Sequence, residues 1–131
     1  MPEIEIHRLV KQALDLGINH FDTAVPSSYG DSELILGRAL KEVPRDQYTL
    51  STKFAVTNSD TGITISPEEI IQCVEKSLRN LQVEELDLLL IAGELRGHHY
   101  PRVMNDLRPT VEKLLREGKI RHVGSSKKIR R

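Results

Sequence analysis

The spacing of hydrophobic positions alternates along the chain between a helical period and short apolar runs. Apolar residues recur every three or four positions in four segments, which predicts amphipathic helices over 2–16, 32–42, 66–81 and 103–117. Runs of strand length lie between and after them, which predicts strands over 18–24, 48–54, 86–91 and 120–125. Strands that alternate with helices in this way form βα units around a parallel sheet.

Local signals mark where several of these elements begin. Ser66-Pro67-Glu68-Glu69 has the form of a capping box, with a serine at the N-cap and a glutamate three residues later. Ser32 is expected to cap the second helix. Pro109 either starts the last helix or kinks it. The polar stretches that contain Pro26 to Gly30 and Asn58 to Gly62 are expected to be loops.

Composition and charge narrow the class of protein. The 131 residues are 38% hydrophobic and 29% charged with no net charge, which describes one soluble globular domain. This balance argues against a nucleic-acid or membrane partner bound by bulk electrostatics. Cys73 has no disulfide partner, and we find neither a signal peptide nor a run of about 20 apolar residues, so a cytoplasmic location is expected.

Three polar residues fall where parallel β/α proteins place their chemistry, at the C-terminal ends of strands and in the following loops. Asp22 ends the first predicted strand, Lys53 ends the second, and Tyr29 lies in the loop after Asp22. A lysine at such a position needs a partner, and Asp22 is the nearest acidic candidate. The ammonium would lower the tyrosine pKa from about 10 and make Tyr29 a better proton donor. The alternative is a structural salt bridge that Tyr29 covers.

Adjacent histidines at 98 and 99 lack the additional ligands that a metal site requires, so we expect no metal and interpret them as exposed loop residues.

Four blocks of sequence, in one consistent order, resemble the aldo-keto reductases. The first block is Gly17-Ile18-Asn19-His20-Phe21-Asp22-Thr23-Ala24, followed by Tyr29-Gly30 and by Ser32-Glu33-Leu34-Ile35-Leu36-Gly37-Arg38-Ala39-Leu40. The others are Leu50-Ser51-Thr52-Lys53; Ser77-Leu78-Arg79-Asn80-Leu81 with Leu86-Asp87-Leu88-Leu89-Leu90-Ile91; and Gly118-Lys119-Ile120-Arg121-His122-Val123-Gly124. The resemblance covers residues 8–126.

This resemblance implies a barrel of eight β/α units and hydride transfer from NADPH, or sometimes NADH, to a small aldehyde or ketone. It implies that Tyr29 is the general acid, that Lys53 lowers its pKa and that Asp22 pairs with Lys53. It also implies that Asp22 belongs to the cofactor site, and that Ser125 and Ser126 lie where the family contacts the nicotinamide amide.

The sequence departs from the family pattern at three places near this site. Ala92 stands where the family usually has a catalytic histidine, and losing such a donor typically costs on the order of 10² to 10³ in rate. Asp22 and Tyr29 are seven positions apart, whereas five is usual in the family. Lys127 stands where an asparagine is common.

The predicted strands correspond to the second through fifth of the family's eight. We therefore expect residues 1–131 to form one partial (β/α)8 domain, about half a barrel and incomplete at both ends, with little or no activity by itself. Three hypotheses stay open. The first is that the chain belongs to a reductase that needs its whole barrel, and the second is a non-enzymatic relative that regulates or binds a subunit. The third is a half-barrel that self-associates or binds a partner chain over its open sheet edges.

Overall fold

The computed structural model describes residues 2–56, 58–59, 62–63, 66–92 and 100–126. The helices are α1 (Glu3–Asp15), α2 (Pro26–Tyr29), α3 (Ser32–Leu40), α4 (Pro67–Leu81) and α5 (Tyr100–Arg116), with a 3₁₀ turn at Arg45–Gln47. The strands are β1 (His20–Asp22), β2 (Thr49–Ala55), β3 (Asn58–Ser59), β4 (Gly62–Ile63), β5 (Leu86–Ala92) and β6 (Ile120–Ser126).

Four strands form one parallel sheet in the order β1-β2-β5-β6. Neighbours in this sheet are successive parallel strands of the chain, joined by helical connections, as the alternating pattern predicts. The four parallel strands and the four long helices expected from the sequence are therefore confirmed.

One face of the sheet supplies the hydrophobic core. Leu50, Phe54, Leu89 and Ile91 are buried there together with apolar residues of α3, α4 and α5. Because side chains alternate along a strand, the residues between them point to the opposite side, which we call the open face. Toward the C-terminal ends of the strands, pairing arranges the open face in three rows, which are Asp22-Ser51-Leu88-His122, Lys53-Leu90-Gly124 and Ala55-Ala92-Ser126.

Two segments that we predicted as loops contain regular structure. Residues 26–29 form the single helical turn α2, in which Gly30 N donates to Pro26 O at 2.9 Å. Pro26 at its first position favours this turn because its fixed φ is already helical. Within the second segment, β3 and β4 form a short antiparallel ladder. The loop prediction was wrong at both places because backbone hydrogen bonds close these short elements.

The helix starts follow the sequence signals in one case and not in another. At α4 the capping box is confirmed, since Glu69 N donates to Ser66 Oγ at 3.2 Å and Ser66 N donates to Glu69 Oε2 at 3.0 Å. At α3 the predicted cap was wrong. The N-cap is Asp31 without a side-chain bond, and Ser32 Oγ instead lies 2.7 Å from Thr23 Oγ1. Pro109 lies inside α5 rather than at its start.

Helices α3 and α4 approach each other closely at Gly37. A Cβ atom at this position would lie 2.9 Å from Leu81 Cα and closer still to the carbonyl oxygen of Asn80. One helical turn earlier, Glu33 is 1% exposed. Its carboxylate accepts hydrogen bonds from Asn80 Nδ2 at 3.2 Å and from Thr52 Oγ1 at 2.9 Å. This buried carboxylate thus links α3 to both α4 and β2.

Candidate active site

The C-terminal ends of the parallel strands bring the predicted site residues to one edge of the sheet. Asp22 is the last residue of β1, Lys53 lies two residues before the end of β2, and Ala92 and Ser126 end β5 and β6. In β/α folds this edge is where side chains from several strands can meet one substrate. We call it the C-terminal rim.

Asp22 and Lys53 form the predicted ion pair. Lys53 Nζ donates to Asp22 Oδ2 at 2.7 Å, and Ser51 Oγ donates to Asp22 Oδ1 at 2.6 Å. Partial burial opposes ionisation of Asp22, but the hydrogen bonds from Lys53 and Ser51 outweigh it and hold the pKa of this carboxyl below its ordinary value. The Asp22 carboxylate is therefore charged at neutral pH, with both oxygens in use.

Tyr29 reaches the same pair from α2. Lys53 Nζ lies over the tyrosine ring at 5.5 Å from the ring centroid, within the range of a cation–π contact. No hydrogen bond joins the Tyr29 hydroxyl to the Lys53 ammonium, so the contact uses the ring face. Tyr29 is the last residue of α2 and is 56% exposed. Its role as general acid stays a prediction.

Sequence reasoning missed three polar residues whose hydrogen bonds lead to Asp22. His20 Nδ1 lies 2.6 Å from Thr49 Oγ1, and His20 Nε2 lies 3.1 Å from Ser51 Oγ, the hydroxyl that donates to Asp22. A signal for them exists in the sequence. His20 alternates with Asp22, and Thr49 and Ser51 alternate with Lys53, so period-two spacing places all of them on the open face.

Ser125 and Ser126 do not share a face. Ser126 pairs with Ala92 in the open-face row at the rim, whereas Ser125 pairs with Ile91 and points to the other side of β6. The cofactor role that the resemblance implies for each stays a prediction. His98, His99 and Lys127 lie outside the described residues.

The outermost row of the open face is built from short side chains. Ala55, Ala92 and Ser126 lie side by side in register across β2, β5 and β6. Their short side chains leave this part of the rim, beside the Asp22–Lys53 pair, without bulky groups, and Ser126 adds a hydroxyl there. This set of residues is compatible with a flat ring such as nicotinamide, and cofactor binding by this chain stays a prediction. Alanine at position 92 supplies no hydrogen-bond donor.

A cavity of about 840 Å³ lies at the opposite ends of the strands, near Arg45, Tyr48 and Lys119. Arg45 Nη2 donates to Asp87 Oδ2 at 2.6 Å, and Leu50 N donates to the same oxygen at 2.8 Å. Burial works against ionisation of Asp87, but these hydrogen bonds hold its pKa below the ordinary value. The charged groups here tie β2 to β5, and the cavity is separate from the C-terminal rim.

Within the described ranges, no helix is both long and apolar enough to cross a membrane. The same part of the chain holds no group of three histidine, cysteine, aspartate or glutamate residues placed to bind a metal ion.

Comparison with known proteins gives consistent matches. L-galactose dehydrogenase of Arabidopsis thaliana is 32% identical over 117 residues, which are 88% of this chain and 36% of that protein. The holo form of an aldo-keto reductase from Bacillus halodurans superposes with a TM-score of 0.79 at 31% identity, covering 96% of this chain and 42% of that one. An aldo-keto reductase from Klebsiella pneumoniae in complex with NADPH gives a TM-score of 0.71 at 26% identity, covering 94% and 39%.

These matches also show how much of the relatives' length this chain covers. The chain spans between a third and a half of the length of these relatives, and its four parallel strands with their helices correspond to part of a (β/α)8 barrel. The family model described as the aldo/keto reductase family matches residues 1–130. The chain therefore belongs to the aldo/keto reductase family.

Proposed function

We propose that this chain carries the proton-donating side of the active site of an NADPH-dependent reductase that converts a small aldehyde or ketone to an alcohol. The main support is the Asp22–Lys53 pair at 2.7 Å at the C-terminal rim, with the Tyr29 ring over the lysine ammonium. NADPH, or NADH in its place, supplies the hydride when bound. The residues of the chain supply the proton and hold the carbonyl in place.

Tyr29 donates its hydroxyl proton to the carbonyl oxygen as the carbonyl carbon accepts the hydride, so that one hydride and one proton yield the alcohol. Lys53 stabilises the negative charge that develops on the phenol oxygen. Asp22 holds the Lys53 ammonium in place and balances its positive charge, which offsets the cost of a charged lysine at a strand end. For this step the Tyr29 hydroxyl must move from its present place, where the ring face meets Lys53.

Position 92 separates this proposal from its main alternative. A histidine usual in the family would give the carbonyl oxygen a second donor, and Ala92 gives none. The alternative is a non-enzymatic relative in which the same scaffold regulates or binds a subunit. Ala92 favours it, because losing one such donor lowers the rate by on the order of 10² to 10³.

The decisive test is a titration of the 131-residue chain with NADPH, with the NMR signals of the backbone amides as the readout of binding. The expected result is that shifts cluster at the C-terminal rim, around Lys53 and Ser126, and that Tyr29→Phe leaves them in place. Shifts confined to the opposite ends of the strands, or none at millimolar NADPH, would overturn the proposal.

Turnover supplies the second arm of the test. Reduction of a panel of aldehydes by the parent chain is expected to be slow or undetectable, because the chain forms part of a barrel. Ala92→His is expected to raise it by on the order of 10²-fold, and adding Tyr29→Phe is expected to abolish the gain. Tyr48→Phe is the matched control, since it alters a tyrosine at the other end of β2. If Ala92→His binds NADPH but gives no gain, the regulatory alternative is favoured.

A further inference from the structure

We propose that Ser51 and His20 are positioning residues for Asp22, because Thr49, His20 and Ser51 form a directional hydrogen-bond chain that ends on Asp22 Oδ1. The chain leaves Oδ2 free to bind Lys53. This inference deepens the proposed function and draws its relevance to catalysis from it. The hydrogen-bond directions themselves follow from the structure of this chain.

The direction of the hydrogen bonds is fixed from the carboxylate outward. An ionised carboxylate only accepts hydrogen bonds, so the Ser51 hydroxyl must donate its one hydrogen bond to Asp22 Oδ1, at 2.6 Å. Toward His20, Ser51 Oγ can then only accept, and His20 Nε2 at 3.1 Å must carry a proton. In neutral imidazole the other nitrogen is an acceptor, so Thr49 Oγ1 donates to His20 Nδ1 at 2.6 Å.

The same chain survives a change in the charge of the imidazole. When His20 takes a second proton, it does so at Nδ1, and the Thr49 hydroxyl rotates to accept rather than donate. The bonds from Nε2 to Ser51 and from Ser51 to Asp22 keep their direction. The bond from Ser51 to Asp22 therefore does not depend on whether Nδ1 carries a proton.

The burial of Ser51 restricts the orientation of the Asp22 carboxylate. Ser51 is 1% exposed, so no water competes freely for its hydroxyl, and a serine buried without partners would be costly. Rotation about the Cβ–Cγ bond of Asp22 would break the hydrogen bond from Ser51 to Oδ1, so this bond keeps Oδ2 on Lys53. Among the described residues, the titratable or charged groups that face Asp22 are His20 on its own strand and Lys53 on β2, with Tyr29 of α2 beyond the lysine.

The test is nitrogen NMR of the His20 ring in the 131-residue chain, without cofactor, at a pH of about 8.5, well above the ordinary imidazole pKa of about 6.5. The expected result is a ring protonated on Nε2. In Ser51→Ala the ring is expected to become a mixture of both tautomers, and the titration of the Asp22 carboxyl carbon should move to higher pH because the carboxylate loses a donor. Ser51→Thr retains the hydroxyl and should restore both signals.

Controls keep the result interpretable. Ser77→Ala removes another buried serine hydroxyl, on α4, and should change neither signal. If Ser51→Ala does not fold, Thr49→Val serves in its place. It should shift the Nδ1 resonance while Nε2 keeps its proton. A parent ring protonated on Nδ1, or a tautomer and an Asp22 titration that ignore Ser51→Ala, would overturn the inference.

Failure of this inference and failure of the proposed function are distinguishable. The NMR signals need no cofactor, so a chain that shows the expected tautomer and fails to bind NADPH contradicts the function alone. A chain that binds NADPH at the rim with His20 protonated on Nδ1 contradicts the hydrogen-bond chain alone.

Discussion

Replacing Gly37 with alanine tests the close approach of α3 to α4. In an isolated helix this change is favourable by about 1 kcal/mol, because glycine is the poorer helix former. Here the new methyl group would point at the backbone of α4, at 2.9 Å from Leu81 Cα and closer still to the Asn80 carbonyl oxygen. Backbone atoms cannot rotate away, so α3 and α4 must move apart.

The magnitude follows from what that movement breaks. Overpacking of this kind costs about 1 to 3 kcal/mol. The Asn80–Glu33 hydrogen bond is already 3.2 Å long, so separation of the helices would break it and leave a buried carboxylate oxygen short of a donor. That loss adds about 1 to 3 kcal/mol. After the gain in helix propensity, we expect Gly37→Ala to lower the free energy of unfolding by about 3 kcal/mol.

Thermal unfolding followed by circular dichroism measures this effect, and the melting temperature should fall by roughly 10 °C for a chain of this length. Gly17→Ala is the control, since its Cβ would meet nothing within 4 Å and only its positive φ of 85° opposes alanine. It should cost about 1 to 2 kcal/mol through the backbone alone. A Gly37→Ala chain that melts at or above the parent temperature would show that the close helix contact is absent.

Three further predictions concern other parts of the chain. Asp87→Asn should make the free energy of unfolding depend less on pH in the acid range. The reason is that a carboxyl with a lowered folded pKa stabilises the fold above its unfolded pKa of about 3.9 and loses this contribution as pH falls through the folded pKa. Urea unfolding at pH 3 to 7 measures this dependence, and an unchanged profile would contradict the role of the bonds from Arg45 and Leu50. Ser66→Ala should lower stability by about 1 kcal/mol in urea unfolding by removing half of the capping box, whereas no change would mean the cap is not formed in solution. Sedimentation should give a mass above 14.9 kDa at high concentration, since the outer edge of β1 is not paired in the described sheet, and a strict monomer would count against self-association.

The long elements were predictable from sequence because each carries several turns or a whole strand of consistent pattern. Helix α4 has a capping box and an apolar stripe, and β5 is an almost continuous apolar run. The two wrong loop predictions concern elements of two to four residues, which are too short to show a period. Backbone hydrogen bonds within each segment close the turn or the ladder, and hydrophobic spacing does not reveal such bonds.

The candidate site was predictable where two charges of opposite sign end neighbouring strands. Asp22 and Lys53 satisfy that rule, and they are paired. The bond of Ser51 to Asp22 was not predicted, because a serine inside a strand gives no sign of its partner until the register is known. Glu33 was missed for a related reason. A glutamate in a first helical turn normally faces solvent, and only the approach of α4 and β2 makes it a buried link.

The bond between Thr23 and Ser32 bears on how long the segment between β1 and α3 can be. It joins the two ends of the segment that contains Tyr29, at 2.7 Å, directly where β1 leaves the sheet and α3 begins. The segment is thus a closed loop whose base is held independently of its length. Residues can be added or removed within it without disturbing the pairing of β1 with β2. A change in the length of this segment is therefore expected to move Tyr29 relative to Lys53 while the sheet beneath stays the same.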